Sequence, residues 1–271
     1  MTENLETEPM PVSMEIKRKV AYITVNTKMN TFNFPTVNKF VEILQVAEKN
    51  PKVRVVVIKT AGTKIFSAGF DLSIFKEGIN ETVINNLLQQ GGAISRLIFF
   101  MTKPVITQIQ ASAIGMGCIL ALSSDFRFVA RKSELFFHLP EIDIGIFPAT
   151  GPTAMAVHVL GAAHAKDMLL TGRKIYLDEF DRWGGITRVC DPDTLDEDVK
   201  EFAKNLAKKP RNLLQTIKPS VNMMAYRHAL ECYSLEDDMA RYNLAKITGE
   251  TDILLEEFVR EQWKKYGKGS F

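Results

Sequence analysis

Cysteine, histidine and net charge are all scarce in this sequence, and each scarcity removes a class of protein. The three cysteines, Cys118, Cys190 and Cys232, stand far apart without CxxC spacing. That leaves no disulfide framework and reads as reduced thiols in a cytosol-like compartment. The four histidines, His138, His158, His164 and His228, lack metal-ligand spacing, so no zinc site is expected. A formal net charge of only +2 gives neither the basic footprint of a nucleic-acid binder nor an acidic solvating tail. No uncharged apolar run is long enough to span a membrane. The opening MTENLETEPMPVSM has neither the basic nor the apolar region of a signal peptide. Residues 1–13 read as a disordered leader, and the whole as a cytoplasmic protein without nucleic-acid or membrane partners.

What is present suits a folded core. With 271 residues, 46% of them hydrophobic, the chain can bury a large apolar interior. MEIKRKVAYITVNT predicts a strand and hairpin. TVNKFVEILQVAEKN predicts a helix capped by Thr36 and ended at Asn50-Pro51. VRVVVIKTAG is a β-branched run of the kind that makes a buried strand. A helix is expected around VINNLLQQGGAISRLIFFM, and then a second buried strand in KPVITQIQASAIGMG. A short helix and another strand follow in CILALSSDFRFVAR. After Val189 the pattern is almost wholly helical. The expected organisation is a mixed core over 14–200 and a helical part over 201–271, with no Gly/Ser linker between them.

Two glycine-bearing turns, KIFSAGFDL and ASAIGMGCIL, each follow a buried strand. Main-chain N–H groups at such a turn or helix start have no partner within the helix. Two of them converging can hold a carbonyl oxygen as it gains negative charge. A purely structural turn is the bland alternative for each. A third stretch, ELFFHLPEIDIGIFPATG, sets Glu141 behind a proline in an apolar run. A cap or an ion pair is the ordinary role of such a carboxylate. Asp143 is the nearest alternative acid, sharing a face with Glu141 if the segment is extended. His138 reads as a packed, hydrogen-bonded histidine and Cys118 as a small buried hydrophobe. Asp71 reads as a turn residue bonding its own backbone.

In order and spacing, FSAGFDL, GMGC, PEIDIGIFP and LTG followed by GGITRV resemble the enoyl-CoA hydratase/isomerase (crotonase) superfamily. The likeness is good over roughly 14–190 and weak beyond. It implies an α/β fold, a spiral of repeated ββα units with a C-terminal helical trimerisation region. It further implies a homotrimer or dimer of trimers acting on an acyl-CoA thioester, with coenzyme A as part of the substrate and no other cofactor. The N–H groups of Phe70 and Met116 become the oxyanion hole. Ala68, Phe70, Asp71, Leu72, Ser73, Met116, Gly117 and Ile119 become the contacts to substrate and CoA. Family members often carry a basic residue where this chain has Ser73; its absence implies either a weaker phosphate contact or one moved to a nearby lysine such as Lys76. The C-terminal QWKKYGKGSF, with Trp263, Tyr266 and Lys264, Lys265 and Lys268, is either a CoA cover, as in some relatives, or a solvated amphipathic helix end.

Hydratases of the superfamily use two glutamates. The first falls on Ile119 in this chain and the second on Glu141. An isoleucine cannot hold water. A lone carboxylate suffices to move one proton from carbon to carbon, and this matches the pattern of 3,2-enoyl-CoA isomerases. The alternatives are an enoyl-CoA or cyclic dienoyl-CoA hydratase, or an acyl-CoA hydrolase, with a single-carboxylate water site. A non-catalytic acyl-CoA-binding subunit is a further alternative.

Overall fold

The computed structural model describes residues 10–75, 80–225, 229–244 and 257. Nine strands are described: β1 (Val12–Lys17), β2 (Val20–Val25), β3 (Val55–Thr60), β4 (Val105–Ile109), β5 (Ala113–Ile114), β6 (Phe126–Ala130), β7 (Phe136–His138), β8 (Ile175–Tyr176) and β9 (Arg188–Cys190). The described helices are α1 (Phe34–Lys49), α2 (Glu81–Asn86), α3 (Gly92–Phe100), α4 (Met116–Ser123), α5 (Pro152–Thr171), α6 (Leu177–Arg182), α7 (Leu195–Leu206), α8 (Arg211–Ala225) and α9 (Ala229–Leu244). The first strand opens at Val12, inside the segment read as leader. It pairs antiparallel with β2 across Arg18 and Lys19, both at positive φ, as a two-residue hairpin turn requires.

A six-stranded sheet runs in the order β1-β2-β3-β4-β6-β9, parallel from β2 onward. A smaller sheet runs β5-β7-β8. Successive strands alternate between the two: β4 and β6 lie in the large sheet, β5 and β7 in the small one. A helix follows each pair, α4 after β5 and α5 after β7. Ser67 bridges to Ala113, so the winding before β4 also reaches the small sheet's edge. These are turns of a ββα spiral, the architecture expected from the motifs.

The β-branched run of β3 is buried on both faces, which is why it lacks alternation. Val56 and Ile58 join the main core, whereas Val55 and Val57 face Leu195, Val199 and Ala203 of α7. Helix α7 crosses residue 200 and covers the outer face of the large sheet. Helices α7 to α9 form the helical C-terminal part. Lys218 of α8 is buried. Its Nζ lies 2.8 Å from Asp125 Oδ2 and donates to the carbonyls of Ile98 and Lys103.

Two local expectations change. The cap of α1 is Asn33, whose side chain accepts from Thr36 N–H at 2.9 Å and Thr36 hydroxyl at 2.8 Å; Thr36 lies inside the first turn. Pro35 follows at a position where a missing N–H is harmless. The helix predicted around VINNLLQQGGAISRLIFFM is continuous over residues 81–100 but widens into a π-turn over Leu87–Gly91, between α2 and α3.

Candidate active site

Two main-chain turns meet at Gly69 and Gly115. Gly69 has φ +92°, and a Cβ there would lie 3.0 Å from Ile114 O and 3.2 Å from Met116 N. Only glycine admits that approach. Around each turn the neighbouring N–H groups are bonded: Gly69 to Ser67 Oγ, Asp71 to Phe32 O and Gly115 to His138 O. The N–H groups of Phe70, between the first two, and of Met116, opening α4, have no partner among the described residues. Serine 67 holds the first turn, since its hydroxyl also donates to Asn30 O at 2.7 Å. Gly117 fixes the second, because a Cβ there would sit 2.7 Å from Ser67 Cβ.

Glu141 completes the group. It starts a 3-10 turn, Glu141–Ile144, after Pro140. A Cβ on Gly115 would be 3.9 Å from its Oε1. The residue as a whole is half-buried, yet its Oε2 is sealed from solvent and has no hydrogen-bond partner. Burial pushes the carboxyl up from the ordinary 4.5 to about 7. Its own backbone N–H opposes this, and the neighbouring Asp143 charge adds to it. A carboxylate held near neutrality beside two unpaired N–H donors can take a proton from a carbon whose neighbouring carbonyl is gripped by those donors.

The cavity at this point has a volume of about 100 Å³, several times what one water needs. Of the site residues named from the sequence, Ala68, Phe70, Leu72, Met116, Ile119 and Glu141 line it. Ile119 is buried, as is the rest of the apolar helix α4. Glu141 is the one ionisable side chain among the described lining residues, and no second acid stands beside Ile119. Asp71, Ser73 and Gly117 do not line the cavity. Asp71 Oδ1 accepts from Ser73 N–H at 2.8 Å, a turn-holding bond, and Gly117 faces Ser67.

Asp143 does not share a face with Glu141, because the segment is a tight turn, not an extended strand. Its carboxylate packs against Gly172, where it would touch any Cβ. His138 Nε2 is 2.7 Å from Gly172 O, and Cys118 is buried. Lys76, His228, Trp263, Tyr266, Lys264, Lys265 and Lys268 lie outside the described residues. Ile84, Leu87 and Leu88, from the region before β4, supply part of the wall. Ile144 and Phe147 come from the apolar run that flanks Glu141; sequence reasoning missed Thr150 and, from α9, Ala240, Asn243 and Leu244. The signals available were the largely apolar GIFPATG run and the apolar spacing of α9, and neither names a pocket by itself.

Comparison with known proteins identifies the family. Residues 15–256 match the sequence model of the enoyl-CoA hydratase/isomerase family, well past the point where motif likeness fades. A crotonyl-CoA hydratase of Syntrophomonas wolfei is 31% identical over 215 residues, 79% of this chain and 82% of that protein. A short-chain-enoyl-CoA hydratase of Clostridium acetobutylicum is 29% identical, covering 83% and 90%. The fold superposes on an enoyl-CoA hydratase/isomerase from Xanthobacter autotrophicus with a TM-score of 0.82, over 95% of this chain and 94% of the other, at 20% identity. The chain belongs to the enoyl-CoA hydratase/isomerase family and is an enzyme of that type.

Proposed function

We propose that the protein moves a carbon–carbon double bond within an acyl-CoA thioester, converting a 3-enoyl to a 2-enoyl ester. The observation that carries this is the carboxylate of Glu141, the one ionisable side chain among the described residues of a cavity wall that includes Ile119. The thioester oxygen would accept hydrogen bonds from Phe70 and Met116 N–H, which lowers the cost of forming an enolate. Glu141 takes a proton from the carbon next to the thioester, and electron density spreads along the conjugated system to the fourth carbon. The same carboxyl returns the proton there, and the double bond ends in conjugation with the carbonyl. One group and one proton complete the cycle, with no water consumed.

Hydration is the second reading, favoured by the names of the relatives above. It needs a water held at one carbon while a proton reaches its neighbour. An aliphatic wall at residue 119 leaves Glu141 to do both. Incubation with 3-enoyl-CoA and with 2-enoyl-CoA in 18O-labelled water separates the two. The isomerase reading expects a double-bond shift with no label incorporated. A labelled 3-hydroxyacyl product from either ester, formed faster than the shift, would overturn it.

The exposed apolar residues Leu213, Ile217, Val221 and Met224 follow helical spacing on α8. We propose that other copies of the chain cover this stripe in a trimer-based assembly.

A further inference from the structure

Helix α9 carries a buried carboxylate far from Glu141 in the chain. Glu236 is 3% exposed. Its Oε2 accepts from Gly151 N–H at 2.7 Å, and its Oε1 accepts from Ala154 N–H at 2.8 Å and from the Thr153 hydroxyl. These donors are the first groups of α5, which has no side-chain cap of its own at Gly151. A residue more than eighty positions away thus does the work usually left to a local cap.

The backbone it grips is strained. Thr150 has φ +76°, a costly setting for a β-branched residue, and Gly151 follows at +109°. Ser95 Oγ donates to Thr150 O at 2.5 Å from the other side. A Cβ on Gly151 would lie 2.6 Å from Ser95 Oγ and 2.7 Å from the Tyr233 ring. This turn ends the run from Glu141 to Thr150 that lines the cavity. On α9, Ala240, Asn243 and Leu244 stand four, seven and eight residues after Glu236, on the same helical face, and all three line the same cavity. The far cavity wall is therefore built from two segments that meet at one carboxylate.

We propose that Glu236 is a positioning residue that docks α9 on the start of α5 and so determines which acyl chains the cavity accepts. This deepens the reading of the cavity as an acyl pocket and rests on it, but not on the isomerase assignment. Ala240 and Leu244 pack with Ile84, Leu87 and Leu88 in one apolar cluster. An acyl tail passing beyond Glu141 meets that cluster, whereas an acetyl group ends before it.

Affinities of acetyl-CoA and hexanoyl-CoA, measured by calorimetry, test the assignment without any turnover. Glu236→Gln turns one acceptor into a donor facing a donor. Its hexanoyl-CoA affinity is expected to fall about tenfold or more, the scale of a methylene-sized misfit in an apolar pocket, with acetyl-CoA affinity held within about twofold. Thr153→Val keeps both main-chain bonds and should lose about threefold for hexanoyl-CoA alone, because one charge-assisted bond of three is gone. It carries the test should the glutamine variant fail to fold. Equal losses for both thioesters, or unchanged hexanoyl-CoA affinity in a folded variant, would overturn the role. A wild type that binds both esters yet shifts no double bond would sink only the isomerase reading.

Discussion

Glu141 is where the proposed chemistry and the cost of the fold meet. Proton abstraction needs its ionised form, so kcat/KM is expected to rise through pH 7 and level off above it; a flat profile from pH 5 to 9 would contradict the assignment. The same shift acts on stability with the opposite sign. In the folded protein the carboxyl titrates near 7, against 4.5 for an unperturbed glutamate, so the folded chain binds a proton that the unfolded chain has already released. Stability is whole below pH 4.5 and is lost as pH rises through 7, by about 3 kcal/mol at roughly 1.4 kcal/mol per pH unit. Glu141→Gln should cut turnover by roughly 10²–10⁴-fold. It should also melt higher than wild type at pH 8 and no higher at pH 4, as calorimetry would show. Glu141 was legible in the sequence because its proline and flanking apolar residues sit in a fixed order with the two glycine turns. Thr150 and Glu236 were not. A strained φ leaves no mark on a threonine, and a carboxylate capping a helix eighty residues away has no spacing rule.

At the level of elements, the start of α4 decides the distance between the two donors. Gly117→Ala would drive a Cβ to 2.7 Å from Ser67 Cβ and 2.9 Å from Ser67 O, so either the helix or the turn must retreat. Activity should fall by about 10²-fold, the loss seen when one oxyanion donor is displaced, while the helix content stays unchanged by circular dichroism. Retained activity would show that Met116 N–H is not a donor to substrate. Strand and helix identities could be read from the sequence where a β-branched run or a helical period dominated, as in β3 and α1 respectively. The π-turn at Leu87–Gly91 could not, because a one-residue widening leaves composition and apolar spacing nearly untouched. The cap of α1 was misplaced by three residues for a similar reason: Asn33 and Thr36 are both good caps, and only their mutual bond shows which one leads.

Across the whole molecule, the helical part is tied to the spiral by a buried charge. Lys218 reaches Asp125 and two carbonyls from α8. Removing a partner from such a pair leaves a desolvated charge behind, so Lys218→Ala should lower unfolding free energy by about 3–5 kcal/mol, measurable by urea titration. A loss below 1 kcal/mol would mean that α8 is held by its apolar contacts alone. The succession of buried runs and turn glycines made the spiral legible. Which helix returns to close the pocket was not, since α8 and α9 are both amphipathic and nothing in their composition ranks them. The spiral also separates two jobs. Phe70 and Met116 belong to neighbouring windings, so the pitch of the coil sets the spacing of their two N–H groups, the proposed grip on the thioester. The π-turn and α9 line the cavity elsewhere, so on the proposed reading substrate range can drift through substitutions there without moving the two N–H groups.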